Sequence, residues 1–557
     1  MGTKDLKDIN MPDVRFEHFQ RAAADIGAHG DNDTLPFDID TRFVSDKQAE
    51  LARAAYLFFL ELQRNSEQNS SRKISELSVF SERLLAPTGP TGFRVVTKIQ
   101  PFWTIYFNGL GVAIADVLEP NRDERAHSYR FLHNGNNSLF DRNYSWKAFR
   151  ESTVSEAENF AEEAIIVQTD ISGFYEHISH HYIENLIDDL FPDNKRIGNQ
   201  INAILNKLSA GRSFGLPVGG QCSRILAELL MNSVDRQMTA AGIMWHRYVD
   251  DYVLITNSNA DAYKKLAFLS HTLSDYGLTL NKTKTTILTS KHYSDYVTTL
   301  LGNDDDDAGK LREIELHFDP YSDTATEDYD SLKQTIEGLQ VQKLLNRELE
   351  KGLPDTFLVT QIGRTLRLQE PEVAIQLATT LLSQGNLHAF RASWSNIMRG
   401  VANLRATKDF AEIFDMLDQL LDFIPDHSLH LLQAEANLLH YLRTLRFTPT
   451  ARRTAFVQHI YNTARSDTVK RACIDCWRHW KDRAAFTFVR GRWNELSAEC
   501  QRLVWLSASV FGDQGDGFRR QVGPNLDHAW RLGIERQNVI SYASIYREWC
   551  NDPLIDA

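Results

Sequence analysis

Cysteine is scarce in this chain: five in 557 residues, at positions 222, 473, 476, 500 and 550. So small and odd a number does not make a disulfide framework, so the fold must rest on buried apolar surface in a reducing compartment. No run of about 18 apolar residues stands out, which argues against a membrane span. The opening MGTKDLKDINMPD is charged and has no apolar h-region of a secretory signal, and Leu6 stands where a myristoylation signal needs Ser or Thr. The expectation is a cytoplasmic protein with no membrane partner. Positive charge is also in deficit: a formal net charge of -13 excludes a surface that coats nucleic acid everywhere, while leaving room for a local basic channel.

What is present is length and pattern. A chain of 557 residues is too long for one ordinary core, so two or more domains are expected. The first 90 residues read as mainly helical, with QAELARAAYLFFLELQ (48–63) the clearest amphipathic segment, whereas GFRVVTKIQPFWTIYFN (92–108) is β-branched and aromatic and predicts strand. From about 165 to 290 strand-like AIIVQTDI is followed by helical YIENLIDDLF and INAILNKLSA. A Gly-rich turn then opens the helix SRILAELLMNSVDRQM, a strand, turn and strand surround Asp250, and a further helix precedes a strand pair near 278–289. This mixture predicts an α+β sheet with helices on one face. GNDDDDAG (302–309) lacks the spaced ligands of a Ca²⁺ loop and reads as a solvated connector. Beyond about 330, apolar stripes at helical spacing recur in DTFLVTQIGRTLRLQ, EVAIQLATTLLSQG, FAEIFDMLDQLLDFI, HLLQAEANLLHYLRTL and VKRACIDCWRHW, as in stacked helix pairs. The last of these holds Cys473, Cys476 and His479 without a second ligand pair, which favours a core helix face over a zinc site.

HRYVDDYVLIT (246–256) sets Asp250 and Asp251 side by side between two strand-like runs. Buried, such a pair costs several kcal/mol unless a cation compensates it, and a solvated hairpin tip is the alternative. A third carboxylate, Asp170, ends the strand of EEAIIVQTDISGFYEHI and can converge on the pair if the strands are neighbours. Three convergent carboxylates suit two Mg²⁺ ions, which demand hard oxygen ligands.

These residues resemble the reverse transcriptases. DISGFY at Asp170 looks like the family's motif A, GLPVGGQCS (215–223) its motif B, YVDD (248–251) its Y-x-D-D, and GLTLNKTKT (277–285) its motif D, four motifs in the family's order. The resemblance implies right-hand polymerase fingers and palm in residues 1–310, with Asp170, Asp250 and Asp251 catalytic and metal-binding, assisted by the Ile171 carbonyl. It implies two Mg²⁺ ions, or Mn²⁺ in their place, and deoxynucleoside triphosphates as substrates. Tyr175 falls where the family places a ring beneath the incoming sugar, which would reject a 2′-hydroxyl. Gly215, Pro217 and Gly219 let the backbone approach a base pair, although many relatives carry Gln where Val218 stands. Lys284 matches the family lysine that faces the leaving pyrophosphate, and Arg130, Lys98 and Arg94 are candidate triphosphate ligands in the fingers. HSYRF (127–131) and VGGQCSRILAE (218–228) are similar to segments of the bacterial abortive-infection and defence enzymes, which carry a helical domain in place of a conventional thumb.

On that reading, residues 311–557 form an all-α helical-repeat domain, HEAT-like or an irregular solenoid. Twelve Lys or Arg face three acids between 441 and 493, with aromatics interleaved, so Arg452, Arg453, Arg471 and Arg478 are candidate ligands for RNA or single-stranded DNA. Because some relatives prime on a protein hydroxyl, Tyr441, Tyr461, Tyr542 and Tyr546 are candidate priming residues. The expected function is DNA synthesis in antiphage defence, RNA-directed or template-independent, by a homo-oligomer. A retron-like or intron-like enzyme copying a defined, associated non-coding RNA is one alternative. A nucleic-acid-binding scaffold with a relic core is another.

Overall fold

The computed structural model describes residues 13–63, 73–135, 137–160, 163–301, 307–314, 325–532 and 541–551. Of the GNDDDDAG segment, residues 302–306 lie outside them. Two sheets organise the first half. A hairpin pairs β1 (Ser81–Thr88) with β2 (Gly92–Ile99), and a four-stranded antiparallel sheet runs in the order β4-β5-β3-β6, where β3 is Ile165–Asp170, β4 Met244–Tyr248, β5 Asp251–Thr256 and β6 Thr286–Thr289. Of the expected strand pair near 278–289, only β6 and an isolated bridge from Ile171 to Leu280 form.

Helices cover both faces of the larger sheet, not one. Val253 and Ile255 pack with Phe149 and Tyr293 from the Trp146–Phe160 and Ser290–Leu301 helices; Tyr252 and Leu254 join the main core beneath the Gln221–Ala240 and Asn259–Ser274 helices. The sequence holds the reason. Tyr252-Val253-Leu254-Ile255 is an unbroken apolar run, and alternate side chains of a strand point to opposite faces, so both had to be buried. The strand expected over 92–108 stops at Ile99. Gln100 then caps a helix, its side-chain oxygen accepting from the Trp103 N–H, and Pro101 occupies the first turn, where its missing N–H costs nothing. This helix extends to Leu118 and, by length and hydropathy, the segment Pro101–Asn121 could cross a membrane; 89% of it is buried inside the fold.

Downstream the chain is helical in two layers. The helices Thr356–Thr365, Trp394–Ala406, Glu435–Leu445, Asp467–Trp480 and Ala498–Ser507 pack successively on one another, and Val341–Glu350, Pro371–Leu382 and Phe414–Ser428 form a second row behind them. Cys473 and Cys476 are buried core thiols, as the apolar stripe predicts.

The first row grips the N-terminal half through polar contacts. Arg471 forks onto Asp40 at 2.7 and 2.5 Å, and Glu435 accepts from the Leu85 N–H of β1 at 2.9 Å; the Tyr542–Trp549 helix adds an aromatic contact, with Phe43 among Tyr542, Tyr546 and Trp549. Glu82 on β1 caps the Asp467–Trp480 helix from outside, accepting from the N–H groups of Asp467 and Thr468 at 2.6 and 2.7 Å and from the Ser466 hydroxyl. A carboxylate at a helix N-terminus meets unpaired N–H groups and the positive end of the dipole. Glu82→Gln should therefore lower stability by about 0.5–2 kcal/mol, read as a shift in the urea midpoint at unchanged slope. An unmoved midpoint would show that the cap adds nothing to the junction.

Candidate active site

Strand register brings the acids together. In the β3–β5 ladder Asp170 lies directly opposite Asp251, and the Ile171 N–H donates to the Asp250 carbonyl at 3.2 Å. Asp170 and the pair about 80 residues after it thus meet at one end of the two central strands of the sheet. Asp170 is only 6% exposed. Burial, then the nearby Asp170 and Asp251 charges, push the Asp250 carboxyl up to about 7; burial also raises Asp251, with Arg150 opposing. Like charges are packed here with too little positive charge to balance them.

The visible counter-charge comes from the 277–285 segment. Lys284 Nζ lies 3.0 Å from Asp170 Oδ2, and Asn281 both donates from Nδ2 to the same oxygen at 3.2 Å and uses its backbone N–H on the Asp170 carbonyl at 2.7 Å. Burial opposes the Lys284 charge, but its hydrogen bond to Asp170 prevails and its pKa rises. Among the described residues no three His, Cys, Asp or Glu side chains converge closely enough to cage an ion. The donor set nonetheless fits hard divalent cations: anionic oxygens in deficit of positive charge, at the ends of two central strands.

The β4–β5 turn that carries Asp250 is strained. Val249 has φ 58°, an outlier for a β-branched residue, of a kind that costs about 1–3 kcal/mol and persists only where surroundings enforce it. Here they do. The Val249 N–H donates to Ser128 Oγ at 3.0 Å, and its carbonyl accepts from Arg247 Nη1 at 2.8 Å. Arg247, fully buried, also forks onto Glu228 and Asp235; Ser128 and Arg122 complete Glu228, and Tyr252 donates to Asp235 at 2.6 Å. These supports escaped the sequence reading. Two had a signal: Ser128 lies in HSYRF and Glu228 ends VGGQCSRILAE, motifs noted only for their resemblance.

The 215–220 loop lies nearby. Gly215 and Gly219 have φ 89° and 113°, values open to glycine, and a Cβ on Gly219 would come within 2.1 Å of Asn32 Nδ2. Pro217 and Val218 line a cleft between this loop and β2, and the Val218 carbonyl accepts from Thr97 N–H. Tyr175 is half-buried against Phe174, and its carbonyl accepts from the Leu216 N–H at 2.8 Å, tying the ring's backbone to the loop.

Other expected ligands are placed elsewhere. Lys98 is 2% exposed and held by Asp31 at 2.7 Å and Asp38 at 2.8 Å, with Asp40 at 3.6 Å, so its ammonium is not open to a triphosphate. Arg130 is taken by Glu119 and by the Asp123 and Ala126 carbonyls, while Arg94 donates to Thr34. Arg453 pairs with Asp418 and Asp422, Arg471 with Asp40, Arg478 with Asp475 and exposed Arg452 with Asp426. Each already has a carboxylate, which removes the reason to expect it on a phosphate. Tyr441, Tyr461, Tyr542 and Tyr546 are all buried, two of them donating to the Leu421 and Arg502 carbonyls; none presents a hydroxyl for priming. In each case the sequence showed the charge or hydroxyl but not its tertiary partner.

Residues 110–311 match the family model of reverse transcriptase (RNA-dependent DNA polymerase). This segment is a reverse-transcriptase domain. It contains all four strands of the larger sheet, the three aspartates, the 215–220 loop and Lys284. No curated protein matches the chain. Solved structures similar to it include telomerase from Candida albicans in complex with a fragment of telomeric RNA, at 13% identity and TM-score 0.32, covering 62% of this chain and 65% of that one. Apo telomerase from Candida tropicalis is similar at 11% identity and TM-score 0.31, covering 65% and 73%. The chain spans less than two thirds of the first of these. A helical region follows the reverse-transcriptase domain.

Proposed function

We propose that the chain is a DNA polymerase that adds deoxynucleotides to a nucleic-acid primer, with residues 1–310 as fingers and palm and 311–557 in place of a thumb. The observation that carries this is the register pairing of Asp170 with Asp251 beside a turn held in strain. Asp170, Asp250 and Asp251, with the Ile171 carbonyl, would hold two Mg²⁺ ions, or Mn²⁺, whose charge would lower the pKa of the primer 3′-hydroxyl and stabilise the leaving pyrophosphate. The 3′-oxygen would lose its proton to water and bond to the α-phosphorus as the bond from that phosphorus to the bridging oxygen breaks, pyrophosphate leaving with that oxygen. Lys284, 63% exposed and tethered at Asp170, would swing its ammonium to the departing pyrophosphate. Tyr175 would lie beneath the incoming sugar and exclude a 2′-hydroxyl.

HSYRF and the 218–228 helix start support a place among the abortive-infection defence enzymes, and five free, buried cysteines support a cytosolic setting. The burial of the four tyrosines favours a nucleic-acid 3′-end over those side chains as primer. The test is incorporation of each deoxynucleotide with Mg²⁺, with and without an RNA template, followed by protease treatment of the product. Template-dependent, protease-insensitive product is expected, and Tyr175→Ala should raise ribonucleotide use by about 10- to 100-fold relative to deoxynucleotides. No incorporation under any condition would overturn the polymerase reading; product bound to protein until proteolysis would overturn the primer assignment.

A further inference from the structure

The arginines of the helical half divide into two kinds. Arg452, Arg453, Arg471 and Arg478 are each paired with an acid. Three others, one on each of three successive helices of the first row, are not: Arg364 on Thr356–Thr365, Arg399 on Trp394–Ala406 and Arg443 on Glu435–Leu445. Among the described residues none of the three has a carboxylate within ion-pair distance. Arg364 touches only the amide oxygens of Asn396 and Gln361 at 3.3 Å, and Arg443 Nε is buried with no acceptor. Stacked helices lie about 8–10 Å apart, so the three form a ladder across the row.

The ladder lines two open clefts that meet at Phe37. Arg364 and Arg399 border one, with Arg312 and Arg367; Arg443 borders the other, with Arg446 and Lys481. Phe37 reaches into both from the N-terminal half, 37% exposed, with the Arg399 guanidinium 5.8 Å above its ring. The acids at this place are already engaged: Asp38 with Lys98, and Asp475 with Arg446 and Arg478. Burial, followed by the charges of Arg446 and Arg399, pulls Arg443 down to about 10; burial, then Arg364, lowers Arg399. Asp38 and Asp475 offset only part of this at Arg443, and guanidiniums crowded beyond what nearby acids balance destabilise the fold unless an anion sits between them.

We infer that the Arg364–Arg399–Arg443 ladder and Phe37 bind the phosphodiester backbone of single-stranded nucleic acid along the junction of the two halves. A single triphosphate would call for arginines converging on one point, whereas these are spread over three helices along an open groove. Cations strung along a groove track a backbone, and an exposed ring among them offers a base a stacking surface. This deepens the polymerase reading by giving the helical half a grip on the strand.

The test is equilibrium binding of a fluorescent single-stranded oligonucleotide to the full chain, over a range of salt and without deoxynucleotides. Arg364→Gln, Arg399→Gln and Arg443→Gln should each weaken binding several-fold and reduce the slope of log affinity on log salt by about 0.7, the value for one phosphate contact on a single strand. Phe37→Ala should weaken binding at unchanged slope. Arg452→Gln, already paired with Asp426, should change neither. Thermal unfolding without ligand separates binding from folding: the ladder variants should melt at or above the wild type, because each removes a repelled charge. Unchanged affinity and slope in the triple variant would overturn the inference. So would competition by inorganic phosphate or triphosphate at concentrations that leave the salt slope intact, which would mark a small-anion site instead. Failure of polymerase activity alongside intact, arginine-dependent binding would refute the polymerase reading and leave the ladder standing.

Discussion

Asp250→Asn should abolish nucleotide incorporation and at the same time make the protein more stable. The activity loss should be at least about 10³-fold, the upper range for removing one group that stabilises developing charge in a transition state. The stability gain follows from the same geometry. Asp250 sits with Asp170 and Asp251 at a partly buried end of the two central strands, and the nearest cation, Lys284, is spent on Asp170. Without divalent cation, each added negative charge there is opposed by burial and by its neighbours, so a neutral amide of the same shape should be preferred by about 1–3 kcal/mol. The measurement is thermal unfolding of both proteins in chelator, paired with primer extension in Mg²⁺. Added Mg²⁺ should stabilise the wild type and leave the variant nearly unmoved. A variant that is inactive and less stable would mean that Asp250 is a structural acceptor; an active variant would remove it from the chemistry.

That site was legible in the sequence because its chemistry is local. A strand ending in Asp170, a Y-x-D-D turn and a Gly-rich loop each carry their signal within about ten residues, and antiparallel pairing did the rest. What was not legible depends on who meets whom. Lys98 looks like any cation on a strand until Asp31, Asp38 and Asp40 close on it. Arg471 and Arg453 supply charge density on paper and ion pairs in the fold. Conversely, Arg364 and Arg399 lie outside the basic stretch and draw no attention, and Arg443 is one of its twelve cations with nothing to set it apart, until three helices stack them side by side. The helix at Pro101 was missed for a different reason: β-branched and aromatic composition outweighed a Gln-Pro start signal that was present. The covering of both sheet faces was also written in Tyr252-Val253-Leu254-Ile255, where alternation fails because neither side is wet.

The second large effect is expected at Arg247, which touches no reacting atom. Its guanidinium is fully buried, donates to Glu228 and Asp235, and spends one further N–H on the Val249 carbonyl. Arg247→Met would leave Glu228 with Arg122 and Ser128, but Asp235 with Tyr252 as its remaining donor. Breaking a buried ion pair from one side costs about 3–5 kcal/mol, because the remaining charge is stranded. The same change releases Val249 from a backbone conformation it would not otherwise hold, letting Asp250 and Asp251 drift from Asp170. A misplacement of about 1 Å can cost 10²-fold in rate, so kcat should fall by about that much among folded molecules while the KM for deoxynucleotide changes little. The double variant Asp235→Asn with Arg247→Met separates the two effects: it removes the stranded charge and should recover most of the lost stability, but it cannot restore the donor to Val249 and should stay slow. Denaturant midpoints and steady-state kinetics on the single and double variants read both. If the double variant regained the wild-type rate along with its stability, the turn would owe nothing to Arg247, and Ser128 alone would have to hold Val249 in its strained conformation.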